Sequence, residues 1–312
     1  MDNLKFYRDK YLEYCTYNRK LVPSTINGYR HNIDNFILFL GKLEPPVCCW
    51  NQVKRKHLDD YLDGVSEKYA VSTIKGKFSC LRVFFYFLQD DGLEIDNPFR
   101  RFRLKMKTPV SIPVSLTLGE VNEFLGEAYK LENLNIFQKT RDLLVLELLF
   151  LSGARVSELC GIKLSDYNPV EKTMEVIGKG SRNRLVFITN KEVLSLLNRY
   201  LALRNTLSVD NANRLLSSRL LLSNKMLPLQ THQARKIVGK YEGVAGIKKH
   251  VTPHTFRHTF ASLLLEEGVS IKYIQEFLGH SSIKTTQMYL HTSNERKRDI
   301  LAKMHPRRKL GF

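Results

Sequence analysis

The segment VTPHTFRHTFASLLLEEGVS, residues 251–270, gathers cations where a helix should begin. Thr252 can cap a helix and Pro253 suits its first position. His254 and Arg257 then lie three residues apart and share one face of the opening turns. The free N–H groups and the dipole at a helix start favour an anion, and an added Arg and His make that place a phosphate site. A helix that merely carries early basic residues is the competing reading, and the dipole disfavours it. His254 and His258 also stand four apart, a metal-ligand spacing. Thr255, however, takes the place of the Glu in a zinc hydrolase motif, and no acid lies between Thr252 and Leu265. No metal site is expected, and His258 reads as a structural histidine.

A second segment, LGHSSIKTTQMYLH, places His280 after Gly279 and Tyr289 nine residues later. Taken alone, a tyrosine between Met288 and Leu290 is most often core. Its phenol, with an ordinary pKa near ~10, is a weak nucleophile unless cations offset its charge. The chain offers such cations at Arg155, Lys179 and Arg257.

The elements that must carry these groups can be read from periodicity. Residues 1–99 form four amphipathic helices: Leu4 to about Asn18; one capped by Ser24, with Tyr29, Ile33, Phe36, Ile37 and Leu40 inward; about Val53 to Leu62; and one opened by Ser72 and stopped at Gly92. The stretch 100–113, RRFRLKMKTPVSIP, is basic, lacks acids and holds two prolines, so it reads as an extended linker able to lie along a phosphate backbone. Thr117 and Glu120 make a capping box that opens the second domain, 114–312. An apolar helix from about Thr140 to Leu151 is broken by Gly153. Thr173–Ile177 and Arg184–Ile188 alternate around Gly178-Lys179-Gly180-Ser181 as a β-hairpin. The fold class is therefore mainly α with a small antiparallel β-sheet.

Composition narrows the partner. The 312 residues suffice for two domains, and 49 Lys plus Arg against 31 Asp plus Glu leave a net charge of +18, as expected of a protein that meets a polyanion. A membrane surface would be another polyanion. The longest apolar run, Leu143 to Leu151, is too short to span a bilayer and is interrupted by Glu147. The charged start MDNLKFYRDK has no signal-peptide core, so the expectation is a soluble, cytoplasmic, nucleoid-associated protein. Five cysteines without a CxxC pair suggest neither a disulfide framework nor a zinc module.

Five segments, SGARVSEL, GKGSRNR, HTFRH, LGH and the following Tyr289, occur in the order and at the separations of the tyrosine recombinase (phage integrase) family, which the chain resembles over its whole length. The resemblance implies a helical, SAM-like core-DNA-binding domain followed by a catalytic domain. It assigns Arg155, Lys179, His254, Arg257 and His280 as catalytic cations, Tyr289 as nucleophile and Glu158 as a supporting acid. No catalytic position departs from the family pattern. With no arm-binding domain ahead of the four helices, the chain looks like the compact chromosome-dimer-resolution or transposon type.

The resemblance further implies site-specific cleavage and rejoining of DNA through a 3′-phosphotyrosyl link. The arginines and His280 would hold the phosphate oxygens, His254 would take or relay the tyrosine proton, and Lys179 would protonate the departing 5′-oxygen. The cations act in place of a metal, and neither a cofactor nor ATP is required. The implied partners are double-stranded DNA with inverted-repeat core sites and further copies of the chain, two on one site and four on two, with allowance for an accessory protein. The segment after Tyr289, with its Ile300, Leu301 and Met304 stripe, would dock on a neighbouring subunit. For the groove-facing surface the best candidates are Ser72, Lys75 and Lys77, with Arg100, Arg101 and Arg103 in the strap. A type IB topoisomerase, a non-catalytic DNA-binding regulator and a zinc hydrolase are the competing readings.

The role of Lys179 can be tested separately. Lys179→Ala is expected to cleave ordinary DNA slowly and to recover when the 5′ leaving oxygen is sulfur, which departs with little need of a proton. Equal defects on both substrates, measured as single-turnover rates, would assign Lys179 to positioning instead.

Overall fold

The computed structural model describes residues 2–107, 114–132, 135–178, 183–210, 218–279 and 294–310. The chain divides into two compact units, Met1–Ser111 and Ile112–Phe312.

In the first unit, α1 (Asp2–Tyr17), α2 (Pro23–Leu40), α3 (Arg55–Ser66) and α4 (Val71–Asp90) surround an aromatic core. Trp50 sits among Phe36, Phe84 and Phe85, and its indole N–H donates to the carbonyl of Leu4 at 3.1 Å. The inward positions expected on α2 hold: Ile33, Phe36, Ile37 and Leu40 are buried. Its start differs. Pro23 occupies the first turn and Val22 the cap, because a proline there needs no capping acceptor for its missing N–H. Likewise α4 begins at Val71, before Ser72.

The stretch after α4 has no helix or strand from Arg101 to Lys107, yet it is bound to this unit. Phe102 stacks on Phe78 at 5.3 Å between ring centroids, and Leu104 and Met106 pack behind it. Arg101, Arg103, Lys105 and Lys107 alternate with them and are exposed. Successive side chains of an extended backbone point to opposite sides, so the apolar residues anchor the strap while the basic ones face solvent.

The second unit is organised on α6 (Ile136–Ser152), a helix buried on nearly every side, against which α5 (Leu118–Lys130), α8 (Lys191–Asp210), α9 (Thr231–Ala245) and α10 (Pro253–Glu266) pack. The Thr117–Glu120 capping box opens α5, with both reciprocal hydrogen bonds present. A short α7 (Val156–Gly161) leads to a three-stranded antiparallel sheet of β1 (Tyr167–Asn168), β2 (Thr173–Ile177) and β3 (Asn183–Phe187), ordered β1-β2-β3. Thr173 pairs with Phe187 and Ile177 with Asn183. The two-residue β1 is too short to show a period of two in the sequence. The hairpin turn, residues 179–182, lies outside the described residues.

After α11 (Ile271–Leu278), the described chain resumes at α12 (Asn294–Met304) and a 3-10 turn, Pro306–Lys309. This tail packs on its own unit. Leu301 joins a small cluster with Phe187, Phe260, Leu264 and Phe277, Ile300 packs beside it, and Met304 stays partly exposed. Arg307 is 2% exposed. Its guanidinium meets Glu147 at 2.8 and 2.9 Å, and the Tyr129 hydroxyl donates to the same carboxylate at 3.0 Å. The acid that interrupts the apolar run of α6 is thus the counter-ion of the tail. His305 is buried beside it. Its Nδ1 accepts from the Arg307 backbone N–H at 3.0 Å, so Nε2 carries the proton toward the Leu151 carbonyl at 3.1 Å. Burial lowers the His305 pKa to about 4, which keeps the ring neutral near pH 7.

Loss of one member of a buried ion pair leaves a charge without compensation, whereas loss of both can be nearly neutral. Arg307→Ala is therefore expected to destabilise the second unit by about 3–5 kcal/mol. The double variant Glu147→Leu/Arg307→Leu should recover most of that loss. Thermal unfolding of the full-length chain checks this; equal losses in the single and double variants would show that the pair is not the stabilising feature.

Candidate active site

At the end of α6 the backbone turns through Gly153 in a left-handed conformation, φ 55°. A Cβ there would come within 2.8 Å of both Leu278 and Phe260, so both the conformation and the close approach of neighbouring side chains require glycine. Two residues later Arg155 caps α7. Glu158, at the third position of that helix, accepts the Arg155 backbone N–H at 3.0 Å and its Nη1 at 2.6 Å. The Arg155 side chain remains 36% exposed, while Glu158 is buried. Burial by itself would raise the Glu158 carboxyl. The Arg155 backbone N–H, the charge of Arg184 and the side-chain hydrogen bonds from both arginines outweigh it and hold the group below its ordinary value.

Arg257 reaches the same place from α10. Thr252 caps this helix and Pro253 is at its start, as the residue types predict. Arg257 is buried, and donates through Nη1 to the Gly153 carbonyl at 2.7 Å and through Nη2 to the Leu278 carbonyl at 2.8 Å. One guanidinium thereby ties the turn that carries Arg155 to the end of α11, next to Gly279 and His280. Burial, followed by repulsion from Arg155 and Arg184 against attraction from Glu158, lowers the Arg257 pKa to about 10, so it remains cationic near pH 7.

His254 is exposed on the first turn of α10. His258, read from the sequence as a structural histidine, is exposed one turn later. Its pKa is lowered by partial burial and then by the charges of His254 and Arg257. The structure thus brings Arg155, Glu158 and Arg257 together with His254 on the adjoining helix start. Lys179, His280 and Tyr289 lie outside the described residues. Among the described residues, no group of three or more His, Cys, Asp or Glu side chains is placed to share a metal ion.

Of the residues expected to contact DNA, Ser72 and the strap residues Arg100, Arg101 and Arg103 are exposed and Lys75 is half-buried. Lys77 differs: it is 4% exposed, with its ammonium 4.6 Å from the centroid of the Tyr69 ring. It faces the interior of the helical unit because it falls on the same side of α4 as Ile74, Phe78 and Leu81.

Residues 115–296 match the phage integrase family, and residues 9–92 match the phage integrase N-terminal SAM-like domain. A tyrosine recombinase of Agathobacter rectalis is 35% identical over 319 residues that span the whole of both chains. The chain belongs to the phage integrase family. It is a tyrosine recombinase, an enzyme of site-specific DNA cleavage and rejoining. Two solved structures show the same fold at low identity. One is XerH site-specific recombinase bound to difH substrate (TM-score 0.68, 22% identity, 92% of this chain and 82% of that one). The other is a lambda integrase tetramer bound to a Holliday junction (TM-score 0.66, 20% identity, 90% and 75%).

In this recombinase the sequence reading passed over Arg184, although it ends the GKGSRNR segment. On β3 its Nη2 meets Glu158 at 3.0 Å. A ladder position opposite Val176 marks it as a strand residue, and nothing local in the sequence points it toward Glu158. The geometry also separates the two site arginines in kind. Arg155→Ala is expected to slow cleavage by about a hundredfold, the usual loss of one transition-state donor, with little change in melting temperature. Arg257→Ala should lose both rate and stability, because it also leaves two buried carbonyls unpaired. Single-turnover cleavage and thermal melts of both variants check this; near-normal cleavage by Arg155→Ala would refute its place in the site.

Proposed function

We propose that this recombinase cuts DNA through Tyr289, whose phenolic oxygen attacks phosphorus while the bond to the 5′-oxygen breaks. The product is a 3′-phosphotyrosyl link and a free 5′-hydroxyl. Arg155, Arg257 and His280 hold the non-bridging oxygens as negative charge develops there. His254 accepts or relays the tyrosine proton, and Lys179 delivers one to the leaving oxygen. The phosphodiester energy is kept in the tyrosyl link, so the reverse step rejoins a strand without ATP, and the cations make a metal or other cofactor unnecessary. The observation that supports this reading is the double hydrogen bond of Arg257 to the Gly153 and Leu278 carbonyls, which ties the turn before Arg155 to the end of α11.

The same proposal assigns residues 1–99 to core-site DNA binding, 100–113 to a basic linker and 114–312 to catalysis. The exposed Arg100, Arg101 and Arg103 then contribute sequence-independent phosphate contacts, with Ser72 and Lys75 nearer the groove. Two copies would bind one inverted-repeat site and four would join two sites; a lambda integrase tetramer bound to a Holliday junction has the same fold. The tail would leave its own unit to dock on a neighbour, and an accessory protein can act on that assembly. A protein with this partner works in the cytoplasm at the nucleoid. No helix among the described residues is long and apolar enough to cross a membrane.

Sequencing the DNA that copurifies covalently with the protein supplies the site, and a nicked half-site duplex of that sequence then traps the intermediate. Tyr289→Phe, which removes only the hydroxyl, should bind this duplex normally and give no adduct on a denaturing gel. An adduct that persists would move the nucleophile elsewhere, to Tyr273 first.

A further inference from the structure

We propose that Arg184 is a positioning residue for strand transfer: by taking one oxygen of Glu158, it lets that carboxylate align Arg155 without neutralising it. Glu158 carries one negative charge and serves two arginines. Its Oε1 meets Arg155 Nη1 at 2.6 Å, and its Oε2 meets Arg184 Nη2 at 3.0 Å and also accepts the Arg155 backbone N–H at 3.0 Å. The carboxylate is 4% exposed, so its charge is poorly screened and must be balanced locally. The two arginines differ in access. Arg155 is 36% exposed, whereas Arg184 is 9% exposed and its Nε has no acceptor among the described residues. Arg184 is thus the enclosed counter-ion, and Arg155 is the one left available to an incoming phosphate.

A second contact links Arg184 to the other side of the site. Gly279 ends α11 in a left-handed conformation, φ 64°, immediately before His280. A Cβ at that position would stand 3.4 Å from both Cδ and Nη1 of Arg184. The arginine therefore packs under the backbone that leads to His280. Its own backbone belongs to β3, five residues after Lys179 in the chain. One side chain joins β3 to the carboxylate that orients Arg155. Without it, the whole charge of Glu158 falls on Arg155, and the pair closes on itself rather than on the phosphate.

The inference rests on reading Arg155 as a phosphate ligand, and its test separates the two. On the nicked half-site duplex at saturating protein, Arg184→Gln should slow single-turnover cleavage by about tenfold or more while duplex affinity changes little, since the lost balance acts on the transition state. Adding Glu158→Gln removes the uncompensated charge, so the double variant should cleave several-fold faster than Arg184→Gln alone, which a merely structural role would not give. Arg184→Lys, which retains the charge, should cleave faster than Arg184→Gln. Cleavage by Arg184→Gln within twofold of the parent, or a double variant slower than Arg184→Gln, would overturn the inference. If Arg184→Gln does not fold, Arg184→Lys decides: cleavage within about tenfold of the parent supports the inference, and a loss as large as that of Arg155→Ala overturns it. Full cleavage by Arg155→Ala would instead defeat the underlying reading of the site.

Discussion

The buried guanidinium of Arg257 is the interaction on which the catalytic unit depends. A cation at that depth is tolerated only if its N–H groups find acceptors, and two backbone carbonyls from separate elements, Gly153 and Leu278, supply them. Because a guanidinium is flat and forked, the two carbonyls must lie in fixed relation to each other. The turn after α6 and the end of α11 are thereby held together, and with them the residues that follow each: Arg155 in one case and Gly279 in the other. Gly153 is the complementary constraint, since any side chain there would collide with Leu278 and Phe260.

Around this tie the unit manages its charges by placing each buried one against a partner. Glu158 answers Arg155 and Arg184, and Glu147 answers Arg307. The two acids have different consequences. Glu158 leaves one of its arginines accessible, so its surroundings suit a site that receives an anion. Glu147 and Arg307 are both enclosed, so that pair holds the tail on its own unit and has no group left for a ligand. A tail that exchanges between subunits must break this pair and re-form it elsewhere, because an isolated charge in the core of α6 is costly. Truncating the tail would therefore strip Glu147 of its counter-ion.

Much of this was legible in the residue order. The helices of the first unit follow from apolar spacing, the Thr117–Glu120 box from its two residue types, and the opening of α10 from Thr252 and Pro253. Where the reading missed, the cause is physical in each case. Ser24 and Ser72 look like caps, but Pro23 and the preceding turn begin the helices earlier. Lys77 is charged, yet its place on the inward side of α4 and the ring of Tyr69 make burial acceptable. His258 shares a helix with buried residues but lies on its open side.

What the sequence determined by itself was chemistry that depends on residue type and short spacing: the two-unit plan, the mainly helical class, the cations of SGARVSEL and HTFRH, and the family that their order indicates. What only the tertiary structure decided was pairing across long separations. Arg307 lies 160 residues from Glu147, Arg257 lies 104 from Gly153, and Arg184 lies 26 from Glu158. No local period encodes such contacts. They form because a buried charge or carbonyl must be satisfied, and the partner is whichever group the packed helices bring within hydrogen-bonding distance.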